Sequence, residues 1–210
     1  MIYSDILSPF SIPYRKQQLT MSAVKEVFNT LFGKLDCPKY SVVSSTADYE
    51  ERLYEGARWT STKIPDIEHR TAVSTGFRRL FKYISGHNEK QVKIPMTVPV
   101  ITKVEPGDGP FCKTDFTVSF FAPFADQAEG TAQPSDPEVF NNSLPEMTAY
   151  VKTFSGYAKD EDWTKQAETL AKSLDNAGKN YHKDFYYTAG YNSPFKPIGR
   201  HNEVWFIKAD

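Results

Sequence analysis

Met147-Thr-Ala-Tyr-Val-Lys-Thr-Phe154 reads as a strand, and the elements after it set the architecture. Trp163, Ala167, Leu170, Leu174 and Ala177 recur at three- and four-residue intervals and predict a helix. Two more strand-like runs close the pattern, Phe185-Tyr-Tyr-Thr-Ala-Gly-Tyr191 and Glu203-Val-Trp-Phe-Ile-Lys208. The same order occurs about a hundred residues earlier. There, Tyr49-Glu-Glu-Arg-Leu-Tyr-Glu-Gly-Ala-Arg-Trp-Thr-Ser-Thr62 is strand-like, and Val73, Gly76, Phe77, Leu80 and Ile84 share a helix face that ends at Gly86. Met96-Thr-Val-Pro-Val-Ile-Thr-Lys-Val104 and Phe116-Thr-Val-Ser-Phe-Phe121 come next as strands around the turn-rich Glu105-Pro-Gly-Asp-Gly-Pro110. A polar, Pro-containing connection, residues 123–145, joins the copies.

Two strand-helix-strand-strand halves related by an approximate two-fold predict an α+β fold. Eight strands form one curved, barrel-like sheet, with a helix from each half burying its apolar face on it. Residues 40–210 are expected to make up this domain. Residues 1–39 form an N-terminal extension, aperiodic over 1–20, with a short amphipathic helix in which Val24, Val27, Phe28, Leu31 and Phe32 precede a stop at Gly33.

The totals narrow the function. With 210 residues, 40% of them apolar, the chain suits one well-buried core. Its 25 basic and 26 acidic side chains leave a net charge of −1, so no overall field attracts nucleic acid or an anionic membrane. Cys37 and Cys112 are too few for a disulfide framework. The N-terminal stretch lacks a basic segment ahead of its apolar residues and is interrupted by Asp5, Pro9 and Pro13; no run approaches the roughly 18 apolar residues of a membrane span. A soluble, cytoplasmic protein is expected. No HExxH, GxSxG, P-loop or paired-Cys metal motif is present, and catalysis is not expected.

Tyr186-Tyr-Thr-Ala-Gly-Tyr-Asn-Ser-Pro-Phe-Lys-Pro-Ile-Gly-Arg-His-Asn-Glu-Val-Trp-Phe-Ile-Lys208 closely resembles the C-terminal signature of the SOUL/haem-binding-protein family. Tyr49-Glu-Glu-Arg52, Lys82-Tyr-Ile-Ser-Gly-His-Asn-Glu-Lys90, Ile94-Pro-Met-Thr-Val-Pro-Val100 and Phe154-Ser-Gly-Tyr-Ala158 extend the match over roughly residues 40–208. The resemblance implies a domain built from a repeated half, binding of haem or related tetrapyrroles, and no settled catalytic activity. One branch of the family places the tetrapyrrole against the first helix, with a lysine on that helix and another in the loop before the last strand. The matching positions are Phe77, Phe81, Lys82 and Lys196, while an arginine of that branch matches Ser74 and a histidine of another branch matches Leu53.

A tetrapyrrole needs an apolar wall, cations at its propionates and, for tight binding, an axial ligand. Phe81 falls about 80° to one side of the buried helix face and Lys82 farther toward solvent, positions suited to wall and cation. His69, His87, His182 and His201 carry no pattern that marks a ligand, and Cys37-Pro38 is only a two-residue likeness to haem-regulatory motifs. Without an axial bond, burying roughly 300 Å² of ring offers about 7 kcal/mol before association costs, consistent with micromolar affinity. Buffering or delivery of tetrapyrrole inside the cell is the expected role. The alternative is a protein-interaction module acting in cell-death regulation through the second helix, around Leu170-Ala-Lys-Ser-Leu-Asp-Asn176, which requires that helix to leave its sheet.

Overall fold

Both expected helices and a single antiparallel sheet are present in the computed structural model, which describes residues 35–65, 68–107, 114–193, 196 and 198–210. The helix expected over 21–33 and Cys112 lie outside the described residues. The strands are β1 (Tyr40–Ser45), β2 (Glu50–Tyr54), β3 (Ala57–Pro65), β4 (Val100–Glu105), β5 (Asp115–Phe121), β6 (Val139–Leu144), β7 (Met147–Phe154), β8 (Tyr186–Gly190) and β9 (Asn202–Ile207). Helix α1 spans His69–Ile84 and α2 spans Asp160–Asn176. The sheet order is β1-β2-β7-β9-β8-β4-β5-β3-β6.

Outward from its centre, the sheet runs β4-β5-β3-β6 on one side and β8-β9-β7-β2 on the other, so the two strand-helix-strand-strand units mirror each other. The flanking strands are exchanged between them: β2 precedes β3 but pairs with β7, and β6 precedes β7 but pairs with β3. Only Glu55-Gly56 and Pro145-Glu146 make these crossings. The crossings touch, since a Cβ on Gly56 would lie 3.2 Å from Glu146 N. Strands from opposite ends of the sheet order are thereby drawn to one place, and the sheet must curl.

The structure corrects three expectations. The segment 49–62 is two strands broken at Glu55-Gly56. The sheet has nine strands against the eight expected, and β1 at one edge and β6 within residues 123–145 are not among the strand-like runs quoted above. In β6, Asn141 Oδ1 accepts from Thr60 Oγ1 and Asn142 Oδ1 from Ser61 Oγ, both at 2.8 Å, so its side chains pair by hydrogen bonding and carry no apolar alternation. On α1 the buried face is Ala72, Gly76, Leu80, Tyr83 and Ile84, with Val73 only half-buried.

Inside the curl, Tyr54, Trp59, Ile101, Phe121, Val151 and Trp205 form one core. On the outer face Leu170 and Leu174 of α2 pack on Tyr150, Val204 and Phe206, while α1 covers Phe116, Val118 and Phe120. Asp160, Glu161 and Asp162 stand in the first turn of α2, where the helix dipole favours negative charge, and Asp162 Oδ2 accepts from the Lys159 backbone N–H at 2.8 Å.

Candidate functional site

Helix α1 lies very close to the sheet because Gly76 faces Val118; a Cβ there would come within 2.6 Å of the valine side chain. With that face buried, a stripe of Phe77, Phe81, Ser74, Arg78 and Lys82 is turned outward over about 140° of the helix. Phe77 is half-buried and sets its ring edge against Phe120, with 5.4 Å between centroids. Phe81 stacks on Phe77 at 5.7 Å and 14°, yet remains 44% exposed. Burial of one aromatic thus orders an exposed neighbour. Lys82 and Ser74 are exposed, and Arg78 folds back over Ser74, donating from Nε to its carbonyl at 3.3 Å and from Nη2 to Thr75 Oγ1 at 3.4 Å. A cation therefore stands over the position where the resemblance leaves serine, supplied from one helical turn farther along.

The end of α1 is a Schellman turn: Gly86, with φ of 115°, donates to Tyr83 O, and His87 donates to Lys82 O. The exposed His87 is thereby set beside Lys82.

Lys196 sits in the β8–β9 loop, exposed, its N–H donating to Ser193 O at 3.0 Å. Register places this loop at the same end of the sheet as the α1 stripe. Phe120, which Phe77 touches, pairs with Val100, which pairs with Gly190, the last residue before the loop. Two strand spacings, about 10 Å, separate Phe120 from Gly190. Among the described residues, nothing lies within 4 Å of where a Cβ on Gly190 would project. The four residues matched to the tetrapyrrole site thus reach one end of the domain, from two elements in different halves.

The inside of the barrel is occupied by its own side chains. Glu203 Oε1 accepts from Arg52 Nη1 at 3.0 Å and contacts His201 Nε2 at 2.7 Å, while its Oε2 accepts from Tyr191 Oη and Trp205 Nε1, each at 2.8 Å. Burial alone would raise the Glu203 carboxyl, but the bonds from His201, Tyr191 and Trp205 and the Arg52 charge hold it below the ordinary carboxylate range. The same burial, with the Glu203 charge nearby, pushes the Tyr191 hydroxyl well up. Sequence reasoning assigns this network no role, although Tyr49-Glu-Glu-Arg52 and Arg200-His-Asn-Glu203 both lie in segments that carry the family resemblance. A wider hollow of about 390 Å³ lies at Asp175, Lys179, Lys183 and Asp210, and its cations are paired, Lys183 with Asp175 at 3.0 Å and Lys179 with Glu51 at 3.5 Å.

The other candidate ligands are dispersed. His69 is the first residue of α1, half-buried and packed against Phe116 and Trp163 with Nε2 2.9 Å from Thr188 Oγ1. His182 stacks on Phe185, and His201 belongs to the Glu203 network. Leu53 is a half-buried residue of β2, and Cys37 is exposed. Among the described residues no three His, Cys, Asp or Glu side chains converge to hold a metal ion. Leu174, on which the interaction alternative depends, is fully buried under α2.

Comparison with known proteins places residues 35–207 in the SOUL heme-binding protein family model. Human heme-binding protein 2 is 42% identical over 160 residues, covering 76% of this chain and 78% of that protein. Mouse heme-binding protein 1 is 35% identical over 185 residues, 86% of this chain and 97% of that protein. Among solved structures, the EcmrR C-terminal domain superposes with a TM-score of 0.57 at 10% identity, covering 77% of this chain and 98% of that one. An uncharacterized conserved protein from Listeria innocua gives 0.52 at 11% identity, covering 78% and 93%. These two share the fold alone.

Proposed function

The chain belongs to the SOUL heme-binding protein family, and from that premise we propose that it binds haem or a related tetrapyrrole, without catalysis, on the outer face of α1. The observation that carries this reading is the Phe77–Phe81 stack, an ordered aromatic ledge with 44% of Phe81 exposed and cations on the same stripe. An ordered aromatic pair with one ring exposed offers a flat apolar surface that a planar tetrapyrrole can cover. The ring of the tetrapyrrole lies against Phe81 and Phe77, and Lys82 and Lys196 meet its propionates by charge-assisted hydrogen bonds. Arg78 adds a third cation to the rim. Affinity then comes from ring burial and carboxylate pairing, is micromolar in scale, and does not depend on iron. Such binding suits buffering or delivery of tetrapyrrole in the cytoplasm.

The test is a titration with haemin and with iron-free protoporphyrin, followed by the Soret band and by tryptophan quenching. Both ligands are expected to bind wild type alike, with Phe81→Ala and the Lys82→Ala/Lys196→Ala pair each weakening both by about tenfold. Wild-type affinity in Phe81→Ala rules out the α1 face. Binding of haemin alone would assign the affinity to iron coordination, with the exposed His87 beside Lys82 the first residue to replace.

A further inference from the structure

We infer that Arg200 is the positioning residue of the tetrapyrrole site, holding Lys196 in place by clamping the β8–β9 loop from within. The inference rests on the reading that Lys196 meets a ligand carboxylate. Arg200 Nη1 donates to Ser193 O at 2.8 Å and to Lys196 O at 3.1 Å. Ser193 O also accepts from the Lys196 N–H, so one guanidinium nitrogen ties together both ends of the turn that presents Lys196.

The guanidinium is itself held. It lies over the Tyr157 ring at 4.3 Å, in the connection between β7 and α2. That connection is fixed to β9, for Asn202 Nδ2 donates to Gly156 O at 2.9 Å. A continuous chain thus runs from β9 through Gly156-Tyr157 and Arg200 to Lys196. Arg200 Nε is buried and has no hydrogen-bond partner among the described residues. A lysine that must meet a ligand carboxylate in one place gains from a backbone held at both Ser193 and Lys196. Lysine is a poor replacement, since its ammonium is a strongly hydrated point charge on a flexible stem with no planar face to lay over Tyr157.

The test uses the full chain, with protoporphyrin and its dimethyl ester as probes, and Lys196→Ala, Arg200→Ala, Arg200→Lys and Lys196→Ala/Arg200→Ala as variants. Each single variant is expected to weaken protoporphyrin about threefold, the double variant no further, and none to change affinity for the uncharged ester. In the ligand-free protein, Arg200→Ala and Arg200→Lys are expected to speed amide exchange at Lys196, which Lys196→Ala by itself does not do. Losses that multiply in the double variant overturn the inference, because Arg200 would then act on the ligand directly. So does a loss at Lys196→Ala with none at either Arg200 variant. If Lys196→Ala leaves protoporphyrin affinity unchanged, the carboxylate reading of Lys196 fails and the inference falls with it. Arg200→Lys keeps the charge and serves if Arg200→Ala does not fold.

Discussion

Arg52 and Glu203, 151 residues apart in the chain, meet inside the barrel with Nη1 3.0 Å from Oε1 and both side chains almost wholly buried. One comes from a β2 strand exchanged into the second half, the other from β9, so the pair forms only when the crossing at Glu55-Gly56 is made. It ties chain crossing to core formation.

Removing Arg52 leaves the buried Glu203 charge with its bonds from His201, Tyr191 and Trp205 but without the guanidinium. Arg52→Met is expected to cost about 3–5 kcal/mol in urea unfolding, while Arg52→Met/Glu203→Gln recovers most of it, since replacing both charges leaves no unpaired ion. A double variant as unstable as the single would show that the guanidinium contributes by packing against Tyr40, 4.5 Å from its ring, and not by charge.

His69 links the two helices. Its ring lies between Phe116 and Trp163, its Nδ1 is 3.8 Å from Asp160 Oδ1 at the start of α2, and the Arg70 N–H donates to the same carboxylate at 3.3 Å. Burial pulls the imidazole down to about 4 from 6.5, the Asp160 charge only partly opposing it. The unfolded chain therefore binds the proton more readily between these values. The stability His69 contributes is complete above about pH 6.5 and is lost as pH falls toward about 4. Between pH 6.5 and 5 the loss is about 2 kcal/mol. His69→Gln, which keeps hydrogen-bonding capacity without a titrating proton, should flatten the unfolding free energy across that window; an unchanged slope would assign it to other groups.

Gly76 sets the height of α1 over the sheet. Gly76→Ala favours the helix locally, yet the new methyl meets Val118, so a net loss of about 1–3 kcal/mol is expected. Gly76→Ala/Val118→Ala should recover part of it, as read by thermal unfolding. A more stable Gly76→Ala would show that the valine yields without cost.

Where the helix residues of the proposed site project is legible in local pattern. The period of α1 places Phe81 at the edge of the core and Lys82 beyond it, and Gly86 marks the helix end, because helical geometry alone dictates which way residues within a few turns project. Arg78 escapes that reading although it stands on the same helix: matching residue by residue to Ser74 ignores that a long side chain reaches the preceding turn.

The repeated strand-helix-strand-strand order, the two amphipathic helices and the family can all be had from the linear chain, since each depends on residues near one another or on a long matching segment. The exchange of β2 and β6, the burial of Arg52 with Glu203, and the clamp of Arg200 on Ser193, Lys196 and Tyr157 exist only once the chain is folded. Strand pairing between distant segments depends on which edges are free once the sheet curls, and a polar strand such as β6 shows no apolar alternation. Arginine looks solvent-exposed in any linear reading; only the folded chain shows that Arg200 bonds two carbonyls of its own loop and that Arg52 is buried in the barrel.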